Sequence, residues 1–507
     1  MEYSKVITII CLIFVGDSRG QAADFQTFPD GFLIGAASAS YQIEGAWNVS
    51  GKGESVWDYA FHNMLKQVSD DSNGDIACDS YHKYKEDVQW IRDIGFDHYR
   101  LSLSWPRILP NGSKDRVNLD GIRYYRNLLE ELKAANVTTV VSLYHWDHPE
   151  VLEEIGGWTN EVMVERFEDY AKVVFDNLGY LVDIFVTINE PEMLCFDEPV
   201  NSSEATARGL ANDVASYLCV HNALKAHAKV WHMYDENYRA TQGGIIGLLP
   251  VCRGWVSGDG VTEESIERYF QFGCGLVLHP IYKGDYSEIV KTTLADIDVY
   301  RNRSFSSLPV FTDEWVKMIK GTNDYFGLNH YTSRIPVMEY GARTSDSGVL
   351  EIRDKSWPIT VLDRLEVVPE GFGNLLRKIR DEYDNPPVYI LENGFADSGE
   401  ILDYGRINYH YDYLSELLTA IIHDGCNVKA YTIWSLLDNF EWDRGYSISF
   451  GIVKVDFTSP NRTRSEKLST RWWKEVIRTR TLIKPPAPGS TSSWGGCFEC
   501  DLTNDKS

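Results

Sequence analysis

Short apolar runs recur along the chain, separated by longer stretches in which apolar residues return every three or four positions. Eight runs, 31–37, 98–104, 138–145, 182–189, 244–250, 324–329, 387–392 and 429–435, are rich in Val, Ile, Leu, Tyr and Phe. They alternate little between apolar and polar positions, which predicts strands buried on both faces, the habit of parallel sheets. Between them, SYHKYKEDVQWIRDIG (80–95), GIRYYRNLLEELKAAN (121–136) and VERFEDYAKVVFDNLG (164–179) read as amphipathic helices ending near Gly or Asn. Eight rounds of strand and helix predict an α/β chain folded as a single (β/α)8 TIM barrel with extended βα loops. The stretches 192–243 and 251–323 exceed a plain βα unit and are expected to carry loop insertions. An open doubly wound sheet is the competing architecture, but no G-x-G-x-x-G follows the first strand.

The barrel reading carries an internal test, because chemistry in such barrels sits at the C-terminal ends of the strands. Those ends read YQIEG, YRLSLSWPR, YHWDHP, NEP, NHYTS, ENG and WSLLDNFEW; only the fifth, LPVCRG, offers nothing assignable. Polar and aromatic residues thus gather at one end. Two of these ends deliver a glutamate, Glu190 in NEP and Glu392 in ENG. Paired carboxylates are the minimal equipment for cutting a glycosidic bond. Each residue also has a plainer reading. Glu190 can cap a helix opened by Pro191, Glu392 can belong to a turn, and Trp434 and Trp442 can be core. Arg100 resists such a reading: inside an apolar strand it needs an anionic partner, and Glu392 is the natural one. His145 and His148 form an H-x-x-H without an acidic third ligand, so no metal and no cofactor is expected.

Charge and the termini narrow the setting. Lys and Arg number 49 against 74 Asp and Glu, a formal net charge of −25, which opposes binding to nucleic acid or anionic membranes. Residues 1–20 read as a secretory signal peptide, with Lys5 ahead of an apolar run too short to span a bilayer; no other stretch approaches the ~20 residues a membrane anchor requires. Residues 21–483 form the predicted domain, and KPPAPGSTSSWGG opens a flexible tail over 484–507 that ends without a lipid-anchor or KDEL-type signal. Secretion makes glycans expected at sequons starting at Asn48, Asn111, Asn136, Asn201, Asn302 and Asn461. It also permits disulfides among Cys78, Cys195, Cys219, Cys252, Cys274, Cys426, Cys497 and Cys500, whose pairing the sequence leaves open.

Taken in order, QIEGAW, SWPRILPNG, YHWDHP, NEP, ENG and WSLLDNFEW resemble glycoside hydrolase family 1, the β-glucosidase family, and especially its secreted animal and insect members. The resemblance implies a retaining β-glycosidase acting on a small-molecule β-glycoside, with glucose favoured and galactose or fucose tolerated. It makes Glu392 the nucleophile and Glu190 the acid/base, with Arg100 and Tyr331 flanking the nucleophile. It places Gln42, His145, Trp146, Asn189, Asn329, Glu441, Trp442 and Phe450 against the sugar, and Trp434 beneath its ring. The oligomeric state stays open, a homodimer included.

The chain departs from the family pattern after NEP. Glu192 stands where tryptophan is common, Leu391 where threonine is common, and EMLCFDEPVNSSEATARG lacks the usual landmarks. Glu192, with Asp197, either acidifies the aglycone entrance or turns to solvent. A thioglucosidase acting on sulfated glucosinolates would need basic residues there, and Arg334 is the one candidate seen. A transglycosidase on the same machinery and a non-catalytic sugar-binding barrel also compete with the hydrolase reading; the sugar-binding barrel typically lacks one of the two glutamates.

Overall fold

The computed structural model describes residues 27–197, 211–340 and 344–488. The expected signal peptide, Asn201, the Cys497/Cys500 pair and most of the expected tail lie outside these residues. Eight parallel strands form the barrel: β1 (Leu33–Ala37), β2 (His98–Ser102), β3 (Thr138–Tyr144), β4 (Ile184–Asn189), β5 (Ile245–Leu249), β6 (Phe326–Asn329), β7 (Val388–Asn393) and β8 (Val428–Trp434). All six residues of β4 and all five of β2 are buried, as the unalternating sequence requires when helices cover the outside and side chains fill the inside.

Ladder pairing runs β5-β4-β3-β2-β1-β8-β7-β6. The remaining seam, β5 against β6, is closed largely by other means. Asp324 Oδ2 accepts from the Ile246 amide at 2.8 Å and Asn323 Oδ1 from the Leu248 amide at 2.9 Å. Beyond the strand ends the backbone takes over, with Cys252 N donating to Asn329 O at 2.9 Å. Side-chain acceptors here stand in for ladder carbonyls, which keeps the seam's buried amides satisfied. On the other side of the barrel the interior is tight. A Cβ on Gly35 of β1 would lie 2.3 Å from the His98 carbonyl oxygen, so only glycine fits.

Outside the barrel, the predicted helices appear as Ser80–Ile94, Leu119–Ala134 and Val162–Leu178. The long stretches differ from the expected loops. The 192–243 stretch holds a helix of 26 residues, Asn212–Asn237. The 251–323 stretch holds the helices Glu263–Phe272, Cys274–Lys283, Glu288–Tyr300 and Asp313–Ile319. Two disulfides tie the insertions to the strand ends: Cys195 with Cys219, and Cys252 with Cys274. A small sheet of Gly254–Trp255, Ser333–Met338 and Val349–Ile352 stands beside the C-terminal end of the barrel.

Register breaks where the chemistry is expected. The β4–β5 ladder shifts between Val186 and Asn189, and β7 shifts against β6 between Ile390 and Glu392. Such irregularities re-aim the side chains that follow them, and here those side chains are Glu190 and Glu392.

Candidate active site

Glu190 takes up the left-handed backbone region, with φ of 43°, immediately after β4. Trp146 (φ 73°) and Trp442 (φ 46°) share that region. Non-glycine residues rarely adopt it without surrounding structure that holds them there. For Glu190 the hold is visible: its amide donates to Leu249 O at 2.6 Å, and its carbonyl accepts from Leu194 N at 3.0 Å. The carboxylate is thereby turned off the strand and into the barrel mouth.

Glu392 receives two donors. Arg100 Nη1 lies 2.5 Å from its Oε1, and the Tyr331 hydroxyl donates to its Oε2 at 2.6 Å. Arg100 rises from the middle of β2, is almost fully buried, and also donates through Nε to Ser142 Oγ at 3.0 Å and through Nη2 to Asn189 Oδ1 at 2.8 Å. Asn329 donates to Asn189 Oδ1 at 3.1 Å and to Glu190 Oε1 at 2.6 Å. Glu190, Asn329, Asn189, Arg100 and Glu392 therefore form one hydrogen-bonded run joining the two carboxylates.

The two carboxyl groups sit in different surroundings. Burial, first, and the charge of Glu392, second, raise the Glu190 pKa well above its ordinary 4.5; the Asn329 hydrogen bond opposes both. Glu392 instead meets a buried guanidinium and a phenol, both donors, which suits a carboxylate. Burial also raises the Tyr331 pKa, with Glu392 adding to it, so the phenol keeps the proton it donates. His145 is driven well below its usual pKa by burial and by Arg100. A neutral imidazole can both donate and accept, as sugar hydroxyls do.

A cleft of about 430 Å³ opens over these groups. Glu190, Glu392, Tyr331, His145, Trp146, Trp434, Glu441, Trp442 and Phe450 all line it. Gln42, Asn189 and Asn329 lie directly behind that wall. Gln42 Nε2 reaches Glu441 Oε2 at 3.3 Å and the Phe440 carbonyl at 3.0 Å, while Asn189 holds the Trp146 indole through its backbone carbonyl at 2.8 Å. Three buried polar atoms, Gln42 Oε1, His145 Nδ1 and Asn329 Oδ1, have no hydrogen-bond partner among the described residues. Buried polar atoms of this kind call for an explanation, and hydroxyl groups entering the cleft would supply one. The aromatic wall is continuous: His145 stacks with Trp434 and Trp442 at 5.9 and 6.2 Å between ring centroids, and Trp146 packs on Trp442 at 5.1 Å. Glu441 has a pKa pushed up to about 8, by burial first, with the Arg364 charge opposing and Glu392 adding.

His148 points elsewhere, its ring nitrogens bound to the Tyr144 hydroxyl and to Glu153, each at 2.7 Å. The two residues expected on the aglycone side lie at or beside the cleft. Glu192 neither turns to solvent nor lines the cleft. It is buried, and its Oε1 accepts from the Val251 amide. It borders a second cavity of about 440 Å³, with Phe196, Tyr217 and Tyr269, which meets the cleft at Met193, Val251 and Arg253. The side chain of Asp197 lies outside what is described. Arg334 does line the cleft, but its guanidinium is engaged. It donates to Glu366 Oε2 at 2.7 Å, to Ser333 O at 2.8 Å and to Arg364 O at 2.7 Å. Its partner arrives in sequence only at Glu366, after a strand and a loop, so local reading could not find it. Sequence reasoning missed Lys66, Arg253 and Arg364, which line the cleft. Arg253 carried a signal: it stands within LPVCRG, the fifth strand end, which was left unassigned.

A (β/α)8 barrel with two carboxylates and a wall of aromatic and polar side chains at the C-terminal ends of its strands has the make-up of a glycosidase. The sequence model of Glycosyl hydrolase family 1 matches residues 24–482, and the chain belongs to that family. It is 41% identical over 470 residues to the lactase/phlorizin hydrolase of Homo sapiens, covering 90% of this chain and 24% of that protein; the chain thus spans about a quarter of that relative's length. It is 40% identical over 463 residues to myrosinase 1 of Brevicoryne brassicae, covering 89% of this chain and 98% of that one. Among solved structures, an aphid myrosinase superposes with a TM-score of 0.85 at 40% identity, covering 90% of this chain and all of the other.

Proposed function

We propose that this protein is a retaining β-glycosidase that hydrolyses β-D-glucosides, with galactosides or fucosides as poorer substrates. The observation that carries the reading is the asymmetry of the two cleft carboxylates: Glu392 clamped by Arg100 and Tyr331, Glu190 buried with a raised pKa. The first is dressed as a nucleophile and the second as an acid.

In the first step Glu190 gives its proton to the leaving oxygen while a carboxylate oxygen of Glu392 bonds to the anomeric carbon. The aglycone departs as a neutral alcohol, and an ester joins the sugar to Glu392. Esterification removes the negative charge of Glu392, which had been raising the Glu190 pKa. Glu190, now ionised, takes a proton from water as that water attacks the anomeric carbon, and the ester breaks to restore Glu392. His145, Gln42 and Glu441 orient the hydroxyls, and Trp434 carries the sugar's C–H face.

The setting is read as extracellular. The two bonded cysteine pairs suit an oxidising compartment. Asn48, Asn111, Asn136, Asn302 and Asn461 are all exposed, as glycan acceptors must be. A mobility shift of secreted material on endoglycosidase treatment tests this.

A second reading, hydrolysis of S-glucosides, is favoured by the 40% identity to an aphid myrosinase along nearly its whole length. A panel of an aryl β-glucoside, an aryl β-galactoside, cellobiose, a cyanogenic glucoside and a glucosinolate separates the two. Turnover of the glucosinolate alone would replace the first reading with the second. No turnover of any member by folded protein would sink both.

A further inference from the structure

Tyr331 holds Glu392 from a place that the barrel ladder does not secure. It lies beyond the end of β6, and its ring packs on a small apolar cluster with Trp434 and Phe450 while lining the open cleft. Its hydroxyl nevertheless sits 2.6 Å from Glu392 Oε2. What fixes that distance is the backbone under the ring. Two phenols of the helix Tyr404–Ile422 donate to the Tyr331 carbonyl, Tyr409 at 2.9 Å and Tyr413 at 3.2 Å. One residue earlier, the His330 carbonyl accepts from Asn393 Nδ2 at 2.6 Å, and the His330 amide donates to the Glu392 carbonyl at 3.0 Å. Asn393 follows Glu392 in β7, so the strand that carries the carboxylate also grips the segment that carries its phenol.

The directions of these bonds follow from one another. A carbonyl can only accept, so Tyr409 gives its proton to Tyr331 and accepts from Asn393 Nδ2 at 3.0 Å. The Asn393 amide nitrogen thus faces two acceptors, and its Oδ1 accepts from the Tyr431 hydroxyl. The Tyr431 oxygen in turn accepts from His410 Nδ1 at 2.8 Å. Burial, with the Arg406 charge, holds the His410 pKa well below 6.5, so its ring is neutral. Asn393, Tyr409, Tyr413, Tyr431 and His410 are all buried, and none of them lines the cleft. A buried, directed network of this kind favours a single geometry.

We propose that Asn393, Tyr409 and Tyr413 are positioning residues that hold the Tyr331 hydroxyl on Glu392 and so keep that carboxylate aimed at the anomeric carbon. The inference rests on the glycosidase reading. Arg100 on Oε1 and Tyr331 on Oε2 together set the plane of the carboxylate; releasing one of them lets it turn. Misplacing a reacting group by about 1 Å can cost as much as about a hundredfold in rate.

The test is a double-mutant cycle on the full-length protein, read as kcat/KM for a dinitrophenyl β-glucoside, with glucose as a competitive inhibitor alongside. Tyr409→Phe together with Tyr413→Phe removes both donors to the Tyr331 carbonyl and keeps both rings. The expected loss is roughly tenfold, and Tyr331→Phe should lose at least as much. In a Tyr331→Phe background the same two changes should cost less than about twofold, because the hydroxyl they steer is gone. Poor folding would persist in that background, so it cannot imitate the coupling. The inhibition constant of glucose should not rise along with the loss in kcat/KM, since the wall that binds the sugar is untouched. Should the two changes together prevent folding, Tyr409→Phe alone carries the same cycle. No loss in kcat/KM, additive losses, or glucose binding weakened as much as kcat/KM overturns the positioning role. Wild-type protein inert toward the dinitrophenyl glucoside overturns the glycosidase reading beneath it.

Discussion

Replacing Asn329 with alanine should move the alkaline limb of kcat/KM to higher pH. Glu190 must be protonated to deliver its proton, so activity is lost as pH rises through its pKa. Burial, then the charge of Glu392, holds that pKa well above 4.5, and Asn329 works against them. Its Nδ2 lies 2.6 Å from Oε1 and favours the ionised form. Hydrogen bonds to charged groups contribute about 1.5–3 kcal/mol, and one pKa unit corresponds to about 1.36 kcal/mol, so losing this one should raise the limb by roughly 1–2 pH units. Glu192→Gln should act in the opposite sense. Glu192 raises the Glu190 pKa as a neighbouring like charge, so its neutralisation should lower the limb. The assay is kcat/KM for an aryl β-glucoside across the pH range, with a thermal melt confirming that each variant is folded. A limb in Asn329→Ala that stays in place or moves down would refute the assignment of the limb to Glu190.

Glu190→Gln should cost far less with a dinitrophenyl than with a phenyl glucoside in the bond-breaking step, general acid help being worth about 10²–10⁴-fold; equal losses in pre-steady-state rates would count against its acid role. Gly35→Ala should destabilise the barrel by about 1–3 kcal/mol through overpacking, because its Cβ would meet the His98 carbonyl at 2.3 Å; an unchanged denaturation midpoint would mean that β1 can shift. Removing both Cys252 and Cys274 should cost about 2–4 kcal/mol in unfolding, since that bond ties the end of β5 to the helix Cys274–Lys283. The difference from wild type should vanish under reductant, and one that persists would place the loss in packing.

The barrel was legible in the sequence because parallel strands write themselves as unalternating apolar runs. Each of the eight expected runs overlaps an observed strand, with ends differing by up to two residues. The two-residue differences fall at the starts of β1, β4 and β6 and at the end of β2, whereas the end of β4, next to Glu190, agrees. Arg100 was legible for a related reason: one charge in a buried strand demands a partner, and that partner lies 2.5 Å away in Glu392. The cations of the cleft wall were not legible. Lys66, Arg253 and Arg364 come from segments without periodicity, and their convergence is decided by tertiary contacts such as Arg334 with Glu366. The contact of Glu192 with the Val251 amide was not legible either, because sequence position says nothing about it.

In the proposed mechanism Glu392 bonds to the sugar. Incubating the protein with a 2-deoxy-2-fluoro-β-glucoside bearing a good leaving group, then mapping the digested protein by mass spectrometry, tests it most directly. The fluorine slows both steps, and the activated leaving group lets the first proceed faster than the second. The expected result is one fluoroglucosyl unit per chain on the peptide containing Glu392, with activity lost in proportion. Label on another residue, or inactivation without any adduct, would contradict the account.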